Sequence, residues 1–318
     1  MTQGIGDEVA REPGSAPILI ANAPVSYGAF EITVDVYPNV PDAVTLLDAV
    51  ASAGYEGVDL GPLGYLGKGQ ELADRLGSRG LSLAGGYFEL PFSEPEKLAE
   101  ELPSLDTLLD VFDAVPDGRV KPRPTLADAG SPERAAHPGR AALDPSVGLD
   151  ERGWKNFADG LARAVARCRE RGYEPTFHHH TATYIEAHWE IERLLELTDV
   201  GLTLDTGHLL LGRGDPVKAI HDWADRINHV HLKDARQDVL DAIVADSAPV
   251  MDIWTRKAFC RLGDGDVAMD EVLAALREIG YSGWLVVEQD MIPEPDEPVE
   301  QAAAEQADNR EYLRARGL

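Results

Sequence analysis

Cysteine is nearly missing from this 318-residue chain: Cys168 and Cys260 are the only two, and they stand far apart. Neither has a partner at metal-ligand spacing, and a disulfide framework of the secreted kind is excluded. Cys168 falls inside a helical pattern, where a buried reduced thiol is the ordinary outcome. Positive charge is also scarce. There are 29 Lys and Arg against 56 Asp and Glu, a formal net charge of −27. A surface this acidic repels phosphate backbones and anionic lipid, so neither nucleic acid nor membrane is expected as a partner. No run approaches the roughly 18 apolar residues of a membrane-spanning helix. Residues 1–17 are polar and rich in Gly and Pro, lack an apolar signal core, and read as a flexible tail. A soluble, cytoplasmic protein is expected. A Gly-rich phosphate loop is missing too. Ala23-Pro24-Val25-Ser26-Tyr27-Gly28 follows the first apolar run instead, without the mark of a dinucleotide-binding open sheet.

What is present is a regular alternation. The hydrophobic fraction is 44%, enough for a core that needs no disulfide or metal to hold it. Strands are predicted at Ile18–Asn22, Gly57–Leu60, Leu81–Tyr87, Pro124–Ala127, Pro175–His180, Val200–Asp205, Ile227–Leu232 and Trp284–Glu288. Helical patterns lie between and after them, among them Val44–Ala53, one long helix over Pro95–Val115, Trp154–Arg171, Glu186–Leu197, Pro216–Trp223, Met269–Ile279 and Glu300–Leu313. Gly54, Gly172 and Gly280 follow three of these helices, where a left-handed cap favours glycine. The strands are short and apolar on both faces, as buried parallel strands are. Repeated right-handed β-α-β units close naturally into a barrel. Residues 18–318 are therefore expected to form a single (β/α)8 TIM barrel. A Gly/Pro-rich excursion at 130–148 and the segment 236–262 lie outside the repeat and are candidate contacts for a homodimer.

In such a barrel the active site lies at the C-terminal ends of the strands. Four successive strands end in polar residues. The fifth ends in His178-His179-His180. The sixth ends in Asp205, followed by Thr206-Gly207-His208. The seventh carries His229-Val230-His231-Leu232-Lys233-Asp234, and the eighth ends in Glu288. Residues two apart share a strand face, which pairs His178 with His180 and His229 with His231. A lone Asp at a strand end is more often a helix N-cap than a ligand. The conjunction at one rim points instead to a divalent metal held by carboxylates and imidazoles: Mn²⁺ or Co²⁺ first, Zn²⁺ or Mg²⁺ as alternatives. Such an ion can polarise a carbonyl or stabilise an enediolate.

The motifs LDTGH (204–208), HVHLKD (229–234) and WLVVEQD (284–290) resemble those of the xylose isomerase-like superfamily of sugar isomerases and epimerases. FHHHTATYIE (177–186) and ANAPVSYG (21–28) resemble its inosose dehydratase branch. The resemblance runs from about residue 18 to the C-terminus. It implies a TIM barrel and a metal-dependent lyase or isomerase acting on a cyclitol ketone or keto-sugar. It assigns Asp205, His231 and Glu288 to three of the four metal ligands. The fourth is usually a Glu at the end of the fifth strand; Glu186 is taken for it, with His178 as the rival. By the same resemblance His180, His208, Lys233 and Glu288 are the catalytic candidates. His180 would serve as acid or base, and Lys233 would bind a substrate oxygen or stabilise an enolate.

The chain departs from the branch after the first strand. A Trp and an Asn-Asp pair usually stand there, whereas this chain has Tyr27 and Ala29-Phe30-Glu31, which leaves the substrate open. Glu31 and Glu89 stand near strand ends as possible hydroxyl contacts or as plain surface charge. Alternatives of other kinds are a sugar epimerase or isomerase, a C-glycoside-cleaving subunit with a small partner, and a non-catalytic sugar- or metal-binding protein. An abasic-site nuclease shares the barrel, but the −27 charge opposes it.

Overall fold

The computed structural model describes residues 17–318. The expected tail at 1–17 lies, but for Pro17, outside the described residues. The first strand, β1 (Ile18–Asn22), pairs in parallel with β2 (Gly57–Val58), and β2 with β3 (Ser82–Leu83). After Ala84 the same segment continues as β4 (Gly85–Leu90) and pairs with β5 (Arg123–Asp128). The ladder then runs through β6 (Thr176–His178), β7 (Gly201–Asp205) and β8 (Ile227–Leu232). A short antiparallel pair, β9 (Asp234–Ala235) and β10 (Phe259–Cys260), stands outside the barrel. The last strand, β11 (Gly283–Val287), pairs with β8 on one side and β1 on the other. Because β3 and β4 are two halves of one kinked strand, the parallel ladder returns on itself as an eight-stranded TIM barrel.

Local chemistry explains the elements between the strands. Asp42 caps the helix Ala43–Ala53 by accepting from Thr45 N, and Gly54 ends it at φ 85°. Asp150 caps Glu151–Glu170 through Gly153 N. The single helix expected over Pro95–Val115 is broken into Pro95–Glu101 and Leu105–Asp113, with a 3-10 turn at Leu102–Ser104. Pro103 lacks the N–H that a continuous helix would require there. The apolar face survives the break, since Leu98, Leu102, Leu105, Leu108 and Leu109 are all buried. Among the described residues no helix is long and apolar enough to cross a membrane.

Alternation along each strand separates two packing surfaces. Leu202, Leu204, Val230, Leu232, Leu285 and Val287 join the large core beneath the helices, whereas Leu19, Ala21, Trp284 and Val286 form a smaller cluster of their own. The final helix, Val299–Arg314, is locked to the strand ends by a buried amide network. Asn22 Nδ2 donates to Val287 O and Gln306 Oε1, and Gln306 and Asn309 donate to Gln289 Oε1. Strand pairing is tight enough to require glycine at Gly57, where a Cβ would stand 2.6 Å from the Trp284 ring and 2.8 Å from Ser82 O. Gly57→Ala is therefore expected to destabilise the barrel by about 1–3 kcal/mol through overpacking. Gly77→Ala, where a Cβ meets nothing within 4 Å, is expected to be neutral or slightly stabilising. Urea midpoints of the two variants check both.

Candidate metal and active site

The register sets the polar strand ends side by side. His178 lies opposite Thr203, Asp205 opposite His231, and His231 opposite Val286, two residues before Glu288. His178, Asp205, His231 and Glu288 each offer one ligand atom, and these four atoms all lie within 4.8 Å of one another. All four residues are buried, Glu288 the least so at 7% exposed. His178 Nε2 is 3.3 Å from Asp205 Oδ2, and His231 Nδ1 is 2.9 Å from Glu288 Oε2 and 3.7 Å from Asp205 Oδ2. The His231–Glu288 contact is close but not aligned as a hydrogen bond, and both nitrogens of His231 are sealed from solvent without a partner. Converging, underused donors of this kind fit a cation between them.

Asp205 divides its oxygens. Oδ1 accepts from His208 N and caps the short helix Thr206–Leu211, while Oδ2 faces the cluster. The cap and the ligand position are thus compatible in one residue. Lys233 completes the charge set: its Nζ is 3.2 Å from Asp205 Oδ2, 3.1 Å from Glu288 Oε2 and 2.9 Å from Asp290 Oδ1. Thr206 Oγ1 donates to Lys233 O and accepts from Lys233 N, tying the ends of β7 and β8 together.

The fields follow from this packing. Burial alone would raise the Asp205 carboxyl, but Lys233, His208 and His178 hold it well below the usual range. Burial is likewise overcome at Glu288 by His231 and Lys233, which bring it down to about 2. Burial would lower Lys233, yet Asp205, Asp290 and Glu288 keep it firmly protonated. His178 is driven down to about 3 by burial, against the pull of Asp205, and so carries a free lone pair. His231 moves the other way, because Glu288, Asp59 and Asp205 outweigh its burial.

Glu186 does not join the cluster, which corrects the expectation that it swings in as the fourth carboxylate. It is buried against Arg134, with 3.3 Å between Oε2 and Nη2, and its Oε1 accepts from Gly139 N and Ala182 N. Arg134 also forks onto both oxygens of Glu190. The excursion at 130–148 thus supplies the counter-ion through Arg134. It also meets the other candidate contact segment, since Val250 N donates to Ala135 O. His178 occupies the position beside Asp205 instead.

Above the cluster lies a cavity of about 330 Å³. His178, His180, His231, Lys233 and Glu288 line it; His208 and Glu186 do not. His180 Nδ1 bonds the Thr181 carbonyl, which leaves Nε2 free, and burial together with Lys233 lowers its pKa. His208 stands behind, its ring centroid 3.9 Å from that of His180, with Nδ1 held by Thr181 Oγ1 at 2.8 Å. The loop carrying these groups is strained: Ala182 sits at φ 68°. It is pinned by the Ala182 N–H to Glu186 and by Tyr184 N to Asp128 Oδ2.

Three further acids were missed in the sequence. Asp59, Asp128 and Asp290 all line the cavity, and burial pushes Asp59 and Asp128 each up to about 7. All three fall at or just after strand ends, so the criterion that found Asp205 reaches them too. Glu31 and Glu89 are at the cavity wall, and Phe30 and Trp254 form an aromatic pair there at 5.8 Å.

Two variants separate the roles of Glu186 and His178. Glu186→Gln is expected to hold Mn²⁺ within about threefold of the parent, because the residue touches no ligand. His178→Ala is expected to weaken Mn²⁺ by more than about 100-fold, beyond the usual cost of an outer-shell change. Titration calorimetry checks both. Arg134→Ala should cost about 3–5 kcal/mol in urea unfolding, since it strands two buried carboxylates.

Comparison with known proteins agrees with this architecture. A family model described as xylose isomerase-like TIM barrel matches residues 47–315. An inosose dehydratase of Geobacillus kaustophilus is 33% identical over 284 residues, 87% of this chain and 89% of that protein. Among solved structures, a D-allulose 3-epimerase from Methylomonas sp. superposes with a TM-score of 0.66 at 14% identity, covering 95% of this chain and 98% of its own. A probable 3-DHS dehydratase from Bacillus anthracis gives 0.63 at 13% identity, covering 93% and 98%. The matched span and the barrel together place the chain in the xylose isomerase-like TIM barrel family.

Proposed function

We propose that the protein is a divalent-metal-dependent dehydratase acting on an uncharged cyclitol ketone of the inosose type. The observation that carries this reading is the convergence of His178, Asp205, His231 and Glu288 beside Lys233, at the base of a cavity that sets several carboxyl groups among apolar residues such as Phe30, Pro62 and Trp254. Among the lining residues Lys233 is the one fixed cation, against the carboxyl groups of Glu31, Asp59, Glu89, Asp128, Glu288 and Asp290. Carboxyl groups in excess of cations disfavour phosphate and carboxylate, and both their charged and neutral forms hydrogen-bond hydroxyl groups. The full-length likeness to an inosose dehydratase supports the same substrate class.

His178, Asp205, His231 and Glu288 would hold the ion, a mixed set of two imidazoles and two carboxylates that accepts Mn²⁺, Co²⁺ or Zn²⁺. A bound divalent cation supplies Lewis-acid polarisation of the ketone and a neighbouring hydroxyl. The chain's own groups do the rest. His180, neutral and with Nε2 free, takes the proton from the carbon next to the carbonyl. The Lys233 ammonium faces the oxygen on which charge develops. His180 then returns its proton to the β-hydroxyl, which leaves as water, and an enone remains. His208 holds the far side of His180 and takes no direct part.

The test is incubation of Mn²⁺- or Co²⁺-loaded protein with 2-keto-myo-inositol in D₂O. C–H exchange with growth of enone absorbance is expected, and His180→Ala should lose about 100-fold or more in rate. Exchange without enone would assign epimerisation instead. No exchange with this ketone or with a set of keto-sugars would sink the enolisation reading.

A further inference from the structure

Asp59 has no task in the mechanism above, yet it is 4% exposed and its Oδ1 has no hydrogen-bond partner. Leaving a carboxyl so buried and underused costs free energy, which asks for a compensating role. Its Oδ2 lies 3.7 Å from His231 Nε2. Glu288 and Asp205 stand on the other side of that ring, at Nδ1. The imidazole is therefore set edge-on between two ligand carboxylates and one carboxyl that contacts no other ligand. Room for Asp59 is made by Gly85, where a Cβ would come within 2.9 Å of Asp59 Oδ1.

We propose that Asp59 is a positioning residue that holds His231 with its hydrogen on Nε2, so that the Nδ1 lone pair faces the cation. This rests on reading the four-residue cluster as a cation site. A metal-bound histidine commonly gives its second N–H to a carboxylate, which fixes both tautomer and ring orientation. Here a separation of 3.7 Å exceeds a direct hydrogen bond, and a small ring rotation closes it. Asp59, His229 and His231 also form a compact group in their own right, with candidate ligand atoms within 4.8 Å of one another. A second ion there would require His231 to bind through both nitrogens, against the tautomer proposed. The other compact group, His180, His208 and Asp290, has the Lys233 ammonium 2.9 Å from Asp290 and His208 Nδ1 already occupied by Thr181.

The test uses the full chain labelled with ¹⁵N-histidine, as parent, Asp59→Asn and Asp59→Ala. Long-range ¹H–¹⁵N correlations of the Zn²⁺-loaded protein identify which His231 nitrogen binds. The loaded parent should show the ion on Nδ1 and hydrogen on Nε2. Asp59→Ala should show the ion on either nitrogen and bind Mn²⁺ about 10–100-fold more weakly. Asp59→Asn, which keeps an acceptor oxygen in the same volume, should fall between and serves if the alanine variant does not fold. An ion on Nε2 in the parent, a second equivalent of Mn²⁺ lost with Asp59, or unchanged affinity and unchanged binding nitrogen in the variants would each overturn the proposal. If the parent binds no divalent ion, the metal-dependent reading falls and the proposal with it, whereas an ion bound through the wrong nitrogen overturns the proposal alone.

Discussion

Charge can be buried at the end of this barrel only as a compensated set. Asp205, Glu288 and Asp290 surround the Lys233 ammonium at 2.9–3.2 Å, and each is almost wholly removed from water. An uncompensated ion there would be far costlier than any contact near it could repay. Lys233 helps to hold Asp205 and Glu288 in their charged forms, and Asp205, Asp290 and Glu288 keep Lys233 protonated. Charges fixed in this way need no reorganisation when a polar ligand arrives.

The barrel supplies the fixed distances for this balance. Parallel register brings His178, Asp205, His231 and Glu288 to one rim, and side-chain alternation aims them at one point. The walls come from elsewhere. Phe30 arrives on the connection after β1, and Trp254 on the helix Met251–Thr255. Ala135 and Val250 bring two excursions together above the rim. Floor and wall thus belong to different parts of the chain, so the wall can change while the ligand geometry stays. The departure from the dehydratase branch after the first strand falls in the wall.

Most of the barrel was legible because its signals are local. Apolar runs, terminal glycines and caps lie within a few residues of the elements they define, and β1 matches its expected bounds. The misread helix at 95–115 had its cause in plain view at Pro103. Asp205, His231 and Glu288 stood out because each lies at or near the C-terminal end of a strand and within a motif shared with the family. The strand-end rule applied to Gly57-Val58-Asp59 would have found Asp59. Glu186 is a different matter. Its fate depends on Arg134, which is 52 residues away in a segment without periodic pattern. Local sequence says nothing about such a pair.

The replacement of a carboxylate by His178 can be weighed by charge. In the proposed site Asp205 and Glu288 would bring two negative charges to a divalent ion, and the imidazoles of His178 and His231 would add none. With Asp290 set against Lys233, the assembly and its ion would be formally neutral. A third carboxylate at the His178 position would leave an excess negative charge sealed beneath the cavity, on a chain already rich in acids. Glu186, spared from the site, is used instead to pin Ala182 at φ 68° through its N–H, and so holds the strained loop that presents His180 to the cavity. Glu186 thus serves the loop rather than the rim, and Arg134 pairs with it and with Glu190, so that neither buried carboxylate is left without a cation beside it.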